Sequence, residues 1–232
     1  VLDQRFYRRN GEYYPSVSSV LNYFPKNQYF HSWLKDVGHN SDIIAQRAAY
    51  EGTQVHNVIE DFLNGNEINW IDEYGNAKYS LDVWRMILRF IDFWNKYKPE
   101  LIATEYHLFS DEHKFAGTAD LIVRLFDNLW LLDLKTSNTL HTSYNLQLSA
   151  YATAWNETHS EKITRTGILW VKSSTRKEGK GDKIQGKGWE LKEVSDIETN
   201  FSMFKSIYEI YKLENPDSKP LTETLPVSVK MS

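Results

Sequence analysis

Residues 115–136 read FAGTADLIVRL, then FDN, then LWLLDLKT (the last run closing on Thr136). The two apolar runs, Phe115–Leu125 and Leu129–Thr136, flank the turn-like link Phe126-Asp127-Asn128, which is the pattern of a β-hairpin. Charge interrupts each run: Asp120 in Gly117-Thr118-Ala119-Asp120, and Asp133 and Lys135 in Asp133-Leu134-Lys135-Thr136. Charged residues seldom interrupt a buried strand unless they are paired or hold a metal. The period of two returns Lys135 to the strand face of Asp133. The hairpin therefore predicts two carboxylates and an ammonium at one place on a sheet.

That combination has a definite chemistry. Magnesium takes an octahedron of oxygens and keeps several waters, so one or two carboxylates suffice. Asp120 and Asp133 supply them, and the Leu134 carbonyl is near enough to add a ligand. Lys135 is placed to orient an attacking water and to stabilise charge building on phosphoryl oxygens. The expectation is magnesium-assisted phosphodiester hydrolysis. Taken alone, the same residues also fit a cross-strand Asp–Lys salt bridge.

Other residues bear on the choice. Glu105 lies in Ile102–His107, the run before the hairpin, and is either a third site acid or an exposed strand residue. His56 and Glu60 share a helix face at i, i+4. Imidazole ligates metals or contacts phosphate, and Glu60 would orient it, although a lone helical histidine is more often a surface or core residue. Gln147 and Tyr151 repeat the i, i+4 spacing; they would reach a substrate phosphate or Lys135, or simply flank an amphipathic helix. Lys172–Lys187 carries six basic and two acidic residues among four nearby glycines (Gly179, Gly181, Gly186, Gly188). It reads as a strap for a DNA backbone, with Lys172, Arg176 and Lys177 as contacts, or as a solvated loop.

Composition limits the rest. The chain has 232 residues, 41% hydrophobic and 25% charged, as in an ordinary globular protein. No apolar run reaches membrane-spanning length, and VLDQRFYRRN at the start lacks the pattern of a signal peptide. The start at Val1 is expected of a trimmed or processed chain. Net charge is −4, so nucleic-acid binding requires locally concentrated positive surface. The absence of cysteine excludes disulfides and iron–sulphur clusters, and fits an intracellular setting in cytoplasm or nucleoid.

Element order follows from periodicity and caps. A hairpin turns at Asn10-Gly11, and Ser16 caps a short helix. A long helix runs from Ser41 to about Leu63, stopped by Asn64-Gly65, and another from Ser80 to Tyr97, stopped by Pro99. Strands at Leu101–Phe109 and in the hairpin are followed by a helix near Thr142–Trp155. Strands at Ile163–Val171 and Trp189–Val194 and a helix at Asp196–Leu213 complete the chain. The fold class is α/β with a mixed sheet. The parts are a mainly helical segment (15–98), a sheet core (100–195), a C-terminal helix (196–213) and a loose tail (214–232), in one domain spanning 1–232.

Five short pieces in this order resemble the PD-(D/E)XK nuclease superfamily, and within it the RecB-type nuclease domain. They are Gly52-Thr53-Gln54-Val55-His56, Glu105, Gly117–Asp120, Asp133–Thr136 and Gln147–Tyr151, within about residues 50–195. The branch is that of phage-encoded exonucleases, CRISPR-associated RecB-like nucleases and the mitochondrial genome maintenance exonuclease. Ala119 stands where the family's name has proline. The resemblance implies a restriction-endonuclease-like mixed central sheet flanked by helices, with an N-terminal helical region arching over the site. It implies Mg2+ or Mn2+ held by His56, Asp120, Asp133 and the Leu134 carbonyl, with Lys135 as catalytic lysine and Glu105 as a site acid. Gln147 and Tyr151 would position substrate, with Thr136 beside them.

The expected activity is hydrolysis of DNA to 5′-phosphates by an exonuclease acting on single strands or ends. The alternatives are a structure-specific or restriction-like endonuclease, and a catalytically inactive nucleic-acid-binding protein of the same fold. The chain has no helicase motor, so a motor or recombination partner would be a separate chain. Residue usage rich in Lys, Asn and Tyr fits a phage-encoded protein of DNA repair or recombination in a bacterial host.

Overall fold

Asn10 and Gly11 both take positive φ, 52° and 85°, and make the turn between β1 (Phe6–Arg9) and β2 (Glu12–Pro15). The Ser16 hydroxyl then accepts the Ser19 N–H at 3.0 Å and opens α1 (Val17–Leu21). A helix that the sequence reading passed over follows. In α2 (Gln28–Val37), the Asn27 side chain accepts the Phe30 N–H at 2.9 Å. After a 3-10 turn at Gly38–Asn40 comes α3 (Ser41–Leu63), and the Ser80 hydroxyl caps α4 (Leu81–Tyr97). The computed structural model describes residues 4–172, 183–185, 188–216, 219–220 and 230.

Six strands form the main sheet: β3 (Glu100–Ser110), β4 (Phe115–Leu125), β5 (Asn128–Lys135), β6 (Arg165–Trp170), β7 (Lys183–Gln185) and β8 (Glu190–Val194). Their spatial order is β3-β4-β5-β6-β8-β7. Among the described residues only the β5–β6 pair of this sheet is parallel, and a parallel pair needs a crossover. That crossover is α5 (Ser143–Thr158); α6 (Ile197–Glu214) closes the order. The sequence reading took all of 172–187 as loop. Lys183–Gln185 instead pairs with β8 as an edge strand, its three residues hidden from pattern reading by the glycines and lysines around them. The rest of that loop and most of the tail lie outside the described residues.

The sheet separates two cores. On one face Leu129 and Leu131 of β5 pack with residues of α1, α5 and α6; on the other Trp130, Leu132 and Leu134 pack with α3 and α4. Strand alternation explains this division, and it puts Asp133 and Lys135 on the α5 face. Trp189 is fully buried, and its Nε1 donates to Asp92 at 2.7 Å. Among the described residues no helix is long and apolar enough to cross a membrane.

Candidate active site

The last paired residues of β4 and β5 are Leu121 and Leu132, whereas β5 continues against β6 to Lys135. The two strands of the hairpin therefore part at Asp120. Its Oδ2 accepts the Leu134 N–H at 2.7 Å, standing in for the lost ladder bond. The Lys135 carbonyl accepts the Val171 N–H on the β6 side. Successive carbonyls of a strand point to opposite edges, so the Leu134 carbonyl faces the Asp120 side.

Two irregularities meet here. Thr104 pairs with Leu121 and Tyr106 with Ala119, which sets Glu105 opposite Asp120. Glu105 has φ 46°, a left-handed conformation inside a strand. Such a residue costs roughly 1–3 kcal/mol and persists where its surroundings impose it. Across from it β4 changes face: Ala119 belongs to the α5 core and Leu121, two residues on, to the α3 core. Both acids are thus turned toward α3. His56 Nδ1 stands 3.8 Å from Glu105 Oε1 and 3.8 Å from Asp120 Oδ1. One ligand atom from each of the three residues lies within 4.8 Å of the others.

The charges couple. Burial alone would lower the His56 pKa, but Asp120 and then Glu105 outweigh it and raise it above the ordinary value. Asp133 is 2% exposed. Burial pushes its carboxyl up to about 6, with Asp120 adding to the rise and Lys135 opposing it. Its Oδ2 lies 2.7 Å from Lys135 Nζ, an ion pair by distance, yet makes no contact with the geometry of a hydrogen bond. Burial would lower the Lys135 pKa, but Asp133 and Asp120 raise it, so the ammonium stays charged.

A polar chain on α5 fixes that ammonium. Lys135 Nζ donates to Gln147 Oε1 at 3.4 Å, and Gln147 Nε2 donates to the Tyr151 hydroxyl at 3.2 Å. The Tyr144 ring lies 4.5 Å from Lys135 Nζ, as a cation–π contact. Tyr151 packs over Gly117, where an added Cβ would lie 2.2 Å from its ring. Gly117 in the hairpin motif is therefore needed by a side chain of α5.

His56, Glu105, Asp120, Lys135, Gln147 and Tyr151 line a cavity of about 640 Å3, as do Thr136 and Glu60. Glu60 makes no contact with His56 among those described; the carboxylates nearest the imidazole are Glu105 and Asp120. Asp133 is not in the three-residue cluster and sits behind Lys135. Lys172 does not line the cavity, and Arg176 and Lys177 lie outside the described residues. Sequence reading missed Arg5, Tyr7 and Tyr144, all of which line it. Tyr144 carried a signal, since it precedes Gln147 by three and Tyr151 by seven on one helix face. Arg5 carried none, because tertiary folding alone brings the N-terminal hairpin here.

An imidazole nitrogen, two carboxylates and a backbone carbonyl suit a hard divalent cation. The His56, Glu105 and Asp120 side chains retain 29, 36 and 16% of their surface, so water and an ion reach them. The buried Asp133 Oδ2 already has a cation beside it, the Lys135 ammonium at 2.7 Å. A second group, Glu112, His113 and Glu157, differs: Glu157 already accepts from Ser110 Oγ at 2.6 Å and from the Glu112 N–H at 3.4 Å.

A family model described as the PD-(D/E)XK nuclease superfamily matches residues 23–219. A search of curated proteins found no match. Among solved structures, the chain is similar to the crystal structure of a candidate exonuclease from Eubacterium rectale. The identity is 12%, the TM-score 0.44, and the match covers 94% of this chain and 90% of that one.

Proposed function

Because the chain belongs to the PD-(D/E)XK nuclease superfamily, we propose that it is a divalent-metal-dependent deoxyribonuclease acting on single-stranded DNA or DNA ends. Hydrolysis breaks the bond from phosphorus to the 3′ oxygen and leaves 5′-phosphates. The observation that carries this reading is the convergence of His56, Glu105, Asp120 and Lys135 in one open cavity, with Asp133 paired to Lys135. His56, Glu105, Asp120 and the Leu134 carbonyl would hold Mg2+ or Mn2+, with Asp133 adding charge from behind. A bound divalent cation lowers the pKa of its water and offsets charge on the scissile phosphate.

The remaining roles belong to side chains. Lys135, kept charged by Asp133 and Asp120, faces a phosphoryl oxygen and orients the attacking water. Gln147 and Tyr144 hold its ammonium against thermal displacement. Arg5, whose guanidinium has no carboxylate partner among the described residues, offers a contact to an adjacent phosphate.

The test uses end-labelled linear and circular single strands with Mg2+, Mn2+ or EDTA. The expected result is a product ladder on linear DNA, no cutting of circles, and no activity in EDTA. Cutting of circles at a matching rate would make it an endonuclease. Unchanged metal-dependent cleavage in Asp120→Ala or Lys135→Ala would overturn the assigned mechanism.

A further inference from the structure

A second cavity, of about 320 Å3, opens beside the first and shares Ser18, Tyr144 and Gln147 with it. Gln147 is the residue that holds Lys135, so the second cavity begins one side chain away from the reacting phosphate. Its walls are the connection from α1 to α2 on one side and the segment entering α5 on the other. Phe24, Phe30 and Tyr144 give it aromatic faces, and Asn27 and Ser143 give it hydrogen-bonding groups. Lys26 stands at the same wall, its ammonium 5.9 Å from the Phe30 ring.

These surfaces match one kind of occupant. Aromatic rings accept the face of any nucleobase, amide and hydroxyl groups meet its edge, and a nearby ammonium meets the backbone phosphate. A base inside a duplex has both its face and its edge already engaged, so it cannot enter. We propose that this second cavity takes one unpaired nucleobase of the strand whose phosphate occupies the active-site cavity, stacking it on Phe30. The proposal rests on the nuclease reading and adds to it the physical basis for choosing single strands.

Phe30 supports an informative variant, because α2 contains no buried residue and its ring can be removed without opening a core. Cleavage is measured on single-stranded oligonucleotides, each carrying one abasic nucleotide at a successive position from the cut. The wild-type protein should slow at one position on one side of the scissile bond. Phe30→Ala should raise KM on the fully based strand on the order of tenfold, the loss of one stacked base, with most of the change in KM rather than kcat. It should show no further penalty at that position, and Phe30→Tyr should restore wild-type behaviour.

An unchanged KM with the abasic penalty intact in Phe30→Ala would overturn the proposal, as would a fall confined to kcat. If the wild-type protein cuts nothing, the nuclease reading fails by itself, and the cavity is judged by binding. A single strand containing one 2-aminopurine should then be quenched by the wild type and by Phe30→Tyr, but not by Phe30→Ala. Equal quenching by all three would overturn it.

Discussion

A ligand imidazole must be neutral, so protons compete with metal at His56. Burial favours the neutral ring, but Asp120 and Glu105 outweigh burial and raise its pKa above the ordinary histidine value. Competition therefore sets in at a higher pH than for an unperturbed histidine. Calorimetric titration with Mn2+ should show affinity falling by about tenfold per pH unit below that pKa, and the fall should flatten in His56→Gln. In the metal-free protein the sign is reversed for stability. A raised histidine pKa contributes stability below about pH 6.5 and loses it as the pH rises through the folded-state value. At Gly117 the governing force is steric rather than electrostatic. A Cβ there would stand 2.2 Å from Cε1 of Tyr151, a buried ring held through its hydroxyl by Gln147. Gly117→Ala should lower stability by about 1–3 kcal/mol, as other overpacked sites do. It should also cut activity by displacing Gln147 from Lys135. Adding Tyr151→Ala should recover part of the stability and none of the activity, a double-mutant cycle readable by thermal melts and cleavage rates.

Elements with local punctuation are legible in the sequence. Ser16, Ser80 and the Asn64-Gly65 stop gave α1, α3 and α4 their ends, and alternation with the Asp-Leu-Lys triplet gave the hairpin. The α2 helix also has its signal, an Asn27 cap with Phe30, Trp33, Leu34 and Val37 at helical spacing. That signal lies between two stronger ones, and the helix itself buries no residue. What could not be read is tertiary. Neither the left-handed backbone of Glu105 nor the face change of β4 at Asp120 has a sequence signature, yet together they move the carboxylates toward His56. Of the expected ligands, His56 and Asp120 lie in a cluster with Glu105, and Asp133 is paired with Lys135. The β4–β5 turn shows local and global preference in conflict. Phe126 and Asp127 both take positive φ, 50° and 60°, as a two-residue hairpin of this hand requires. For a residue with a Cβ that conformation costs about 1–2 kcal/mol, and glycine avoids it. Asp127→Gly should raise the melting temperature by about 2–4 °C, the size expected of 1 kcal/mol in a chain of this length, and leave cleavage rates unchanged. A drop in melting temperature would show that Asp127 makes a stabilising contact of its own.

Among the described residues two helical layers flank the main sheet, and the site draws on both. His56 comes from α3 on one side, Gln147 and Tyr151 from α5 on the other, and the acids from the strands between. A cation held there ties one layer to the sheet at the point where β4 and β5 have no ladder bonds between them. Without it, Glu105, Asp120 and Asp133 gather negative charge in a chain already at −4. Burial pushes the Asp133 carboxyl up to about 6, with Asp120 adding to the rise. A raised carboxyl pKa has the opposite consequence from a salt-bridged one: stability is highest while the group is protonated and declines as the pH rises from about 4 to about 6. Above that range the metal-free protein carries the full penalty, and there the cation should stabilise it most. At pH 7.5, Mn2+ at a hundred times its dissociation constant should add about 2.7 kcal/mol, seen as a rise of about 5–10 °C in the melting temperature. Asp120→Asn keeps an oxygen for the Leu134 N–H while removing one charge. It should melt no lower than the metal-free wild type, because repulsion between the acids is relieved, and it should lose most of the Mn2+ response. A wild-type-sized Mn2+ shift in Asp120→Asn would place the ion elsewhere. A large fall in its metal-free melting temperature would mean that Asp120 serves the fold more than the cation.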